Sequence, residues 1–359
     1  MTVAEVWTER ALADILHRAG VTRDEVGARF PLFADPETGH WETTGRGSWT
    51  GGFWAGLLWL RARYTGDAAD RDAASNCTAR LAGWVEADTA TRGLILWYGT
   101  ALAIGDPGAV ELRSRAARAC MDALDPEVGL VPWGSALGGP RLLARVDAVP
   151  GIVPLLASSG GEGAAAAVSH LHRHIDLCYA DGTVVPALRF EPDRGWRPCD
   201  EPGPGWSRGR PWLLLAVADA LHQPRTTRWN RQRLEATAAE LAAALAGAPR
   251  WGVPPADERE PDGPQDTSAA AITAVALLKL ALVPGVRAAE YHSRACSILA
   301  HLVTVHLSGP AGARPAGMLL NGCYDAGRSV AVRHELIWGD FFLALGLAAL
   351  VGLIDIRTV

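Results

Sequence analysis

The sequence predicts an all-α protein whose twelve helices close into a toroid of six hairpins, an (α/α)6 barrel. Apolar residues, mostly Ala and Leu, recur at helical spacing in segment after segment, whereas alternating Val, Ile, Thr and aromatic runs are hard to find. The helices are even in length and are joined alternately by short turns and by longer loops rich in Gly, Pro and Trp, a pattern of stacked hairpins rather than an up-down bundle. No internal linker divides the chain, so 1–359 reads as a single domain, and 49% hydrophobic residues suffice for a large core.

The periodicity places helices over 5–18, 51–65, 69–86, 90–104, 109–123, 147–159, 162–177, 208–222, 229–246, 267–282, 288–306 and 338–353. The first is amphipathic with acids early, and it has no basic n-region, continuous apolar stretch or small-residue cleavage site of an export signal. The sixth begins at Asp147, which a helix start can use as an N-cap. The last is apolar enough to raise the question of a membrane, but Asp340 lies inside it and His334 and Glu335 just before it, so it reads as a buried helix of a core. Loops at 24–50, 124–146, 178–207, 247–266 and 307–337 hold most of the remaining Gly, Pro and Trp, and function gathers on loops that a rigid scaffold positions.

A net charge of -5 and the lack of basic runs argue against nucleic acid or a membrane surface as partner. The six cysteines are scattered without a C-x-x-C pair, which supports neither a metal site nor a disulfide framework and fits a cytoplasmic location. Lys279 is the only lysine, which removes most Schiff-base and P-loop chemistry. The expectation is an enzyme without metal or cofactor, acting as a monomer or homodimer on a small molecule or oligosaccharide.

Fourteen Trp against five Tyr is unusual, and many stand in loops or at helix starts, Trp41, Trp49, Trp133, Trp196, Trp206, Trp212 and Trp338 among them. Aromatic faces beside polar groups hold sugar rings, although large aromatics also simply fill a wide core. In order and spacing, SWTGGFWAGLLWLRARYTGD (48–67), GWSRGRPWLLLAVADAL (205–221), DTSAAAITAVALLKLA (266–281), LLNGCYD (319–325) and ELIWGDFFLALGL (335–347) resemble the unsaturated glucuronyl hydrolases of glycoside hydrolase family 88. The resemblance covers nearly the whole chain and implies the same (α/α)6 barrel.

It also implies a chemistry. An acid protonates C4 of a 4,5-unsaturated uronic acid, charge develops at C5, water adds there, and the hemiketal opens and expels the aglycone, with one carboxyl group serving in turn as donor and base. The family's acid opens a helix before a P-L-L run, and DAVPGIVPLL resembles that stretch at Asp147. Only aliphatic residues, Gly and Pro follow Asp147 for nine residues, and such surroundings predict a carboxyl group raised towards neutrality. Arg208, between Trp206 and Trp212, is the candidate for the substrate carboxylate. Trp49 and Phe53 match the family's W-x-x-x-F and would wall the subsite, with Trp133 as a further face. Asp266 and Asp340 match family acids and read as structural partners or helix caps, while His334 and Glu335 are placed near the mouth.

The match fails at three positions. Aligning Gly99 with the glycine of the family's H-D-x-G-F motif puts Trp97 where a second acid stands, and Pro186 and Pro198 replace a His and a Gln that contact substrate. A more apolar pocket follows, and with it a changed substrate, such as an unsaturated sugar or enol-ether acid carrying a hydrophobic aglycone in specialised metabolism. Two alternatives stay open: an isomerase, dehydratase or cyclase in which Trp97 shields a cation, and a catalytically silent sugar-binding relative.

Overall fold

The computed structural model describes residues 3–227, 230–245, 252–285 and 287–359. In chain order its helices are α1 (Val3–Val26), α2 (Gly51–Thr65), α3 (Ala68–Ala79), α4 (Pro107–Asp122), α5 (Ile152–Ala157), α6 (Gly161–Cys178), α7 (Gly209–Leu221), the short α8 (Pro224–Thr227), α9 (Arg231–Ala244), α10 (Thr267–Ala281), α11 (Ala288–His301) and α12 (Ile337–Leu350). A π-helical turn, Gly93–Trp97, lies between α3 and α4. Expected helix bounds at 229 and 246, and loop residues 247–251, fall outside the described residues.

These segments form an (α/α)6 barrel because of how their apolar residues are distributed. α2, α7, α10 and α12 are buried along most of their length, so they can only be interior. Together with the 93–97 turn and α5 they make the inner ring: α2 packs on the turn, the turn on α5, α5 on α7, α7 on α10, α10 on α12, and α12 back on α2. Helices α1, α3, α4, α6, α9 and α11 alternate with them in sequence and cover them from outside. Their apolar side faces inward, as in α4, where Ala109, Leu112, Ala116, Ala117 and Cys120 are buried while Glu111 and Arg118 remain in water.

Two expected helices are broken. Over 90–104 only the π turn and further turns form. Gly93 there lets two backbones touch: a Cβ on it would lie 2.2 Å from the Ile152 amide nitrogen. The Thr100 hydroxyl also donates to the Leu96 carbonyl oxygen at 2.6 Å, in competition with regular helix bonding. Over 147–159, a 3-10 turn at Val146–Ala148 is separated from α5 by Pro150 and by Gly151, whose φ of 74° suits glycine. Elsewhere α3 stops at Ala79, α1 runs on to Val26, and α11 gives way to a π turn at Leu302–His306.

The loops carry strands that the periodicity does not reveal. β1 (Phe30–Ala34), β2 (Trp41–Thr44), β3 (Leu143–Arg145), β4 (Tyr179–Ala180), β5 (Thr183–Val184), β6 (Ala187–Glu191), β7 (Gly195–Pro198), β8 (Gly322–Asp325) and β9 (Val330–Leu336) are two to seven residues long. They form a sheet of order β2-β1-β9-β8, another of order β3-β6-β7, and the hairpin β4-β5. All pairs are antiparallel, with Phe33 opposite Leu336, Gly322 opposite His334, and Arg145 opposite Ala187. Runs this short and interrupted by Gly, Pro and Arg give little alternation to read.

The barrel axis is filled. Phe53, Tyr98, Trp212, Phe341 and Phe342 form a buried aromatic plug with ring centroids 5.1–6.3 Å apart. The lone lysine lies between inner helices: Lys279 Nζ donates to Asp219 and to the backbone oxygen of Val359, with both ion-pair partners 2% exposed. Burial raises the Asp219 carboxyl above the usual range, and Lys279 opposes that rise. Lys279→Met leaves Asp219 buried without its counterion. We expect a loss of about 3–5 kcal/mol in urea unfolding, with the double variant Lys279→Met/Asp219→Asn more stable than the single. An unchanged midpoint for the single variant would contradict this role.

Candidate active site

The N-terminal ends of the inner elements meet at one end of the barrel. A Cβ on Gly52 would strike the Leu94 carbonyl oxygen, one on Gly151 the Gly93 carbonyl oxygen, and Gly339 approaches Ser268. Arg208 at the start of α7 pairs with Asp266 at the start of α10. The two larger sheets lie against this end and deliver the remaining side chains. β3 runs into the turn that carries Asp147, anchored by the Val146 amide donating to the Pro186 carbonyl oxygen at 3.0 Å. β8 brings Tyr324, and α12, which follows β9 directly, carries Trp338 as its second residue.

Asp147 is not alone among aliphatic side chains. Arg145 grips it side-on, Nε to Oδ1 at 2.9 Å and Nη2 to Oδ2 at 2.7 Å, and the carboxylate stays 16% exposed. The expected isolation is thus corrected: Arg145 ends β3, and the 3-10 turn that follows brings Asp147 back against it. The Arg145 guanidinium also lies 4.3 Å above the Trp133 ring centroid, occupying one face of that indole. Trp133 is 7% exposed and its Nε1 donates to the Gly138 carbonyl oxygen at 2.9 Å. Burial works against the charge of Arg145, and Asp147 overcomes it, so the guanidinium is held above its ordinary range.

Arg208 is buried, and both Nη groups are committed. Nη1 donates to Asp266 and to the Cys323 carbonyl oxygen, and Nη2 donates to the Tyr324 carbonyl oxygen at 2.7 Å. Its plane faces Trp206 at 5.1 Å and Trp338 at 5.7 Å. Asp266, read from sequence as a cap or structural partner, is both: it caps α10 by accepting from the Ser268 amide and hydroxyl, and it neutralises Arg208. Three buried polar atoms around this guanidinium have no protein partner: Arg208 Nε, Ser207 Oγ and Trp338 Nε1. Buried polar groups without partners are uncommon, and two of these three are pure donors.

Trp49 sits at the rim beside the same group. It stands 4.8 Å from Trp338 and is parallel to Tyr324 at 6.1 Å, and its Nε1 donates to the Tyr324 hydroxyl at 3.2 Å. A sugar ring between two parallel faces needs roughly 7–8 Å, two van der Waals contacts, so the gap between Trp49 and Tyr324 is too narrow to hold one. Phe53 and Trp212 belong to the axial plug, 0% and 1% exposed, and floor the site instead of walling it. Trp97 ends the 93–97 turn, buried, with its ring 5.9 Å from the guanidinium of Arg113 on outer helix α4 and its Nε1 without a protein partner among the described residues. Of the two rim candidates, His334 packs edge-on against Phe33, whereas Glu335 is fully buried with Arg18 and Asp340. Pro186 is buried beside Gly209 at the start of α7, and Pro198 is exposed at the end of β7.

The sequence therefore pointed to Trp49, Trp133, Asp147, Trp206 and Arg208 at this end but passed over Arg145, Tyr324 and Ser207. Among the described residues, no three His, Cys, Asp or Glu side chains gather to hold a metal ion, and no helix is long and apolar enough to cross a membrane.

No family model matches the chain. An unsaturated glucuronyl hydrolase of Bacillus sp. strain GL1 is 26% identical over 369 residues, covering 93% of this chain and 94% of the relative. Among solved structures, the Bacillus sp. GL1 enzyme responsible for glycosaminoglycan degradation superposes with a TM-score of 0.81 at 23% identity, over 96% of both chains. An unsaturated glucuronyl hydrolase of Streptococcus agalactiae gives 0.83 at 18% identity, over 99% of this chain and 94% of its own. One specific for heparin gives 0.83 at 18%, over 98% and 99%.

Behind the rim, Glu335 and Asp340 share one buried site with Arg18, which donates to Glu335 at 2.8 and 3.2 Å. Burial first, and the Glu335 charge second, hold the Asp340 carboxyl well above the usual range, and burial also raises Glu335. A carboxyl raised in the folded state stabilises fully below the unfolded titration near pH ~4 and loses that contribution as pH climbs through the folded one. Denaturation midpoints of the native chain should therefore contain a component that falls as pH rises above ~4, and Asp340→Asn should remove it. Parallel pH profiles for the two proteins would refute the shared-proton pair.

Proposed function

Starting from the chain's place as a divergent member of the unsaturated glucuronyl hydrolase family, we propose that it is a glycoside-hydrolase-type enzyme that protonates the C=C bond of a 4,5-unsaturated uronyl or related enol-ether substrate through Asp147. The observation that carries this reading is the meeting, at one end of the barrel, of a single half-buried carboxyl group, aromatic faces, and the three unpartnered polar atoms around Arg208.

The arrangement supports the chemistry step by step. Trp49 offers an outer face for the sugar, while Arg208 Nε, Ser207 Oγ and Trp338 Nε1 are free to bond its oxygens. Arg208 serves as an oriented donor more than as a free charge, because Asp266 already neutralises it. Protonated Asp147 gives its proton to C4 as the π electrons of C4=C5 form the new C–H bond, and the cation at C5 is shared with the ring oxygen. Water then adds at C5 and loses its proton to the Asp147 carboxylate, and the hemiketal opens with release of the aglycone alcohol. Two of the three unpartnered atoms lie on or beside α7, and the face they serve is bordered by Trp206 and Trp338, in keeping with a substrate whose aglycone is apolar.

The test is the loss of ultraviolet absorbance of a 4,5-unsaturated uronyl disaccharide or of a synthetic unsaturated uronide with an aromatic aglycone. The native chain should consume one of these, the aromatic uronide faster, and Asp147→Asn should lower kcat by about 10²–10⁴. Full turnover by Asp147→Asn would exclude the mechanism. Saturable binding without consumption of either compound would leave a silent sugar-binding relative.

A further inference from the structure

We propose that Arg145 receives the carboxylate of the substrate, and that this exchange of partners is what hands Asp147 its proton. The inference rests on the reading of Asp147 as the acid and deepens it.

The two ion pairs of the site differ in what holds the acid. Asp266 accepts from the amide and hydroxyl of Ser268 as well as from Arg208, and it is fully buried at the start of a fifteen-residue helix. Those donors hold it in place whatever happens to Arg208. Among the described residues Asp147 accepts hydrogen bonds from Arg145 alone, and Arg145 has no second carboxylate within ion-pair distance. The Arg145–Asp147 pair is therefore the one that can be opened at the cost of a single partner.

Chemistry requires that it open. Asp147 can donate a proton to carbon only when it carries one, and in the observed pair both its oxygens accept from a guanidinium. Once Asp147 is protonated, Arg145 is left as an uncompensated cation, 21% exposed, stacked on Trp133 and presenting a side-on fork. That fork is matched in shape and charge to a planar carboxylate. Anion binding at Arg145 and protonation of Asp147 are then linked, and each favours the other to the same extent.

The neighbours leave this exchange undisturbed. From α6, His170 and His174 face the Asp147 turn, and burial pushes both down, His174 to about 4. Cys178 on the same helix and Cys199 after β7 are raised by burial. Tyr324 reaches Arg145 from β8. Arg189 on β6 is paired with Glu191, and Arg210 on α7 bonds the Gly182 carbonyl oxygen. Above pH ~5, well clear of His174, the charged groups of the exchange are Arg145 and Asp147 themselves.

Binding of an unreactive probe tests this without turnover. Saturated glucuronate, with glucose as the neutral control, is titrated calorimetrically between pH ~5 and ~8 in buffers of different ionisation heat. The native chain should take up close to one proton per glucuronate bound, with affinity falling up to tenfold per pH unit. Asp147→Asn should bind more tightly, with no proton uptake and a flat pH profile. Arg145→Met should lose at least tenfold in affinity for glucuronate and none for glucose. Arg145→Lys, which keeps charge but not the fork, should fall between, and equal thermal unfolding of all variants shows that the fold is intact. Glucuronate binding by the native chain without proton uptake, equal binding by Arg145→Met, or no saturable glucuronate binding would each overturn the proposal. Failure of the hydrolytic reading is separate: proton-linked binding with no consumption of any unsaturated uronide refutes the reaction and leaves the exchange standing.

Discussion

Everything at the site depends on the closure of the inner ring. Six elements of a closed ring, all running in the same direction, must begin at one end, and α2, α7, α10 and α12 there turn their amide-rich ends towards the same space. Closure depends in turn on backbones that touch where glycine has no Cβ, as at Gly93 and Gly151, and on a plug of Phe53, Tyr98, Trp212, Phe341 and Phe342 that fills the axis. The plug gives the site a rigid apolar floor. The loops, freed from any role in holding the ring, supply the polar side chains through two small sheets.

Two guanidinium–carboxylate pairs then divide the work. Arg208 and Asp266 tie α7 to α10 and to the backbone of β8, a tie held by several hydrogen bonds at once. Arg145 and Asp147 find no other ion-pair partner among the described residues and sit partly exposed beside Trp133. The same residue chemistry serves as a rivet in one place and as an exchangeable pair in the other, and the difference lies in how many donors each carboxylate has.

The ring was legible in the sequence because inner helices must be apolar all round and outer helices on one face, and α2, α7, α10 and α12 lie within a few residues of their expected bounds. The second inner element was not: 90–104 reads as a helix by periodicity, and its irregularity comes from Gly93 and Gly99 meeting tertiary partners that no local pattern contains, with the Thr100 hydroxyl bonding back to Leu96. At the site, Asp147, Trp49 and Arg208 stood in recognisable motifs. Arg145 carries no signal of its own, because it ends β3 and Asp147 lies in the 3-10 turn that follows, a strand-to-turn junction that helical periodicity does not reveal. Tyr324 and Ser207 gain their meaning from contacts more than a hundred residues away in sequence or from a missing partner.

The central claim, that a carboxyl group at the mouth of this barrel delivers a proton to carbon, is tested most directly by running the reaction in D2O and examining the released sugar product by mass spectrometry and NMR. One deuteron at C4 in the product of the first turnovers, read before enolisation beside the new C5 keto group adds a second, and lost together with turnover in Asp147→Asn, is the predicted result. A product that keeps its C4=C5 double bond, or one that carries only protium at C4, would contradict the account.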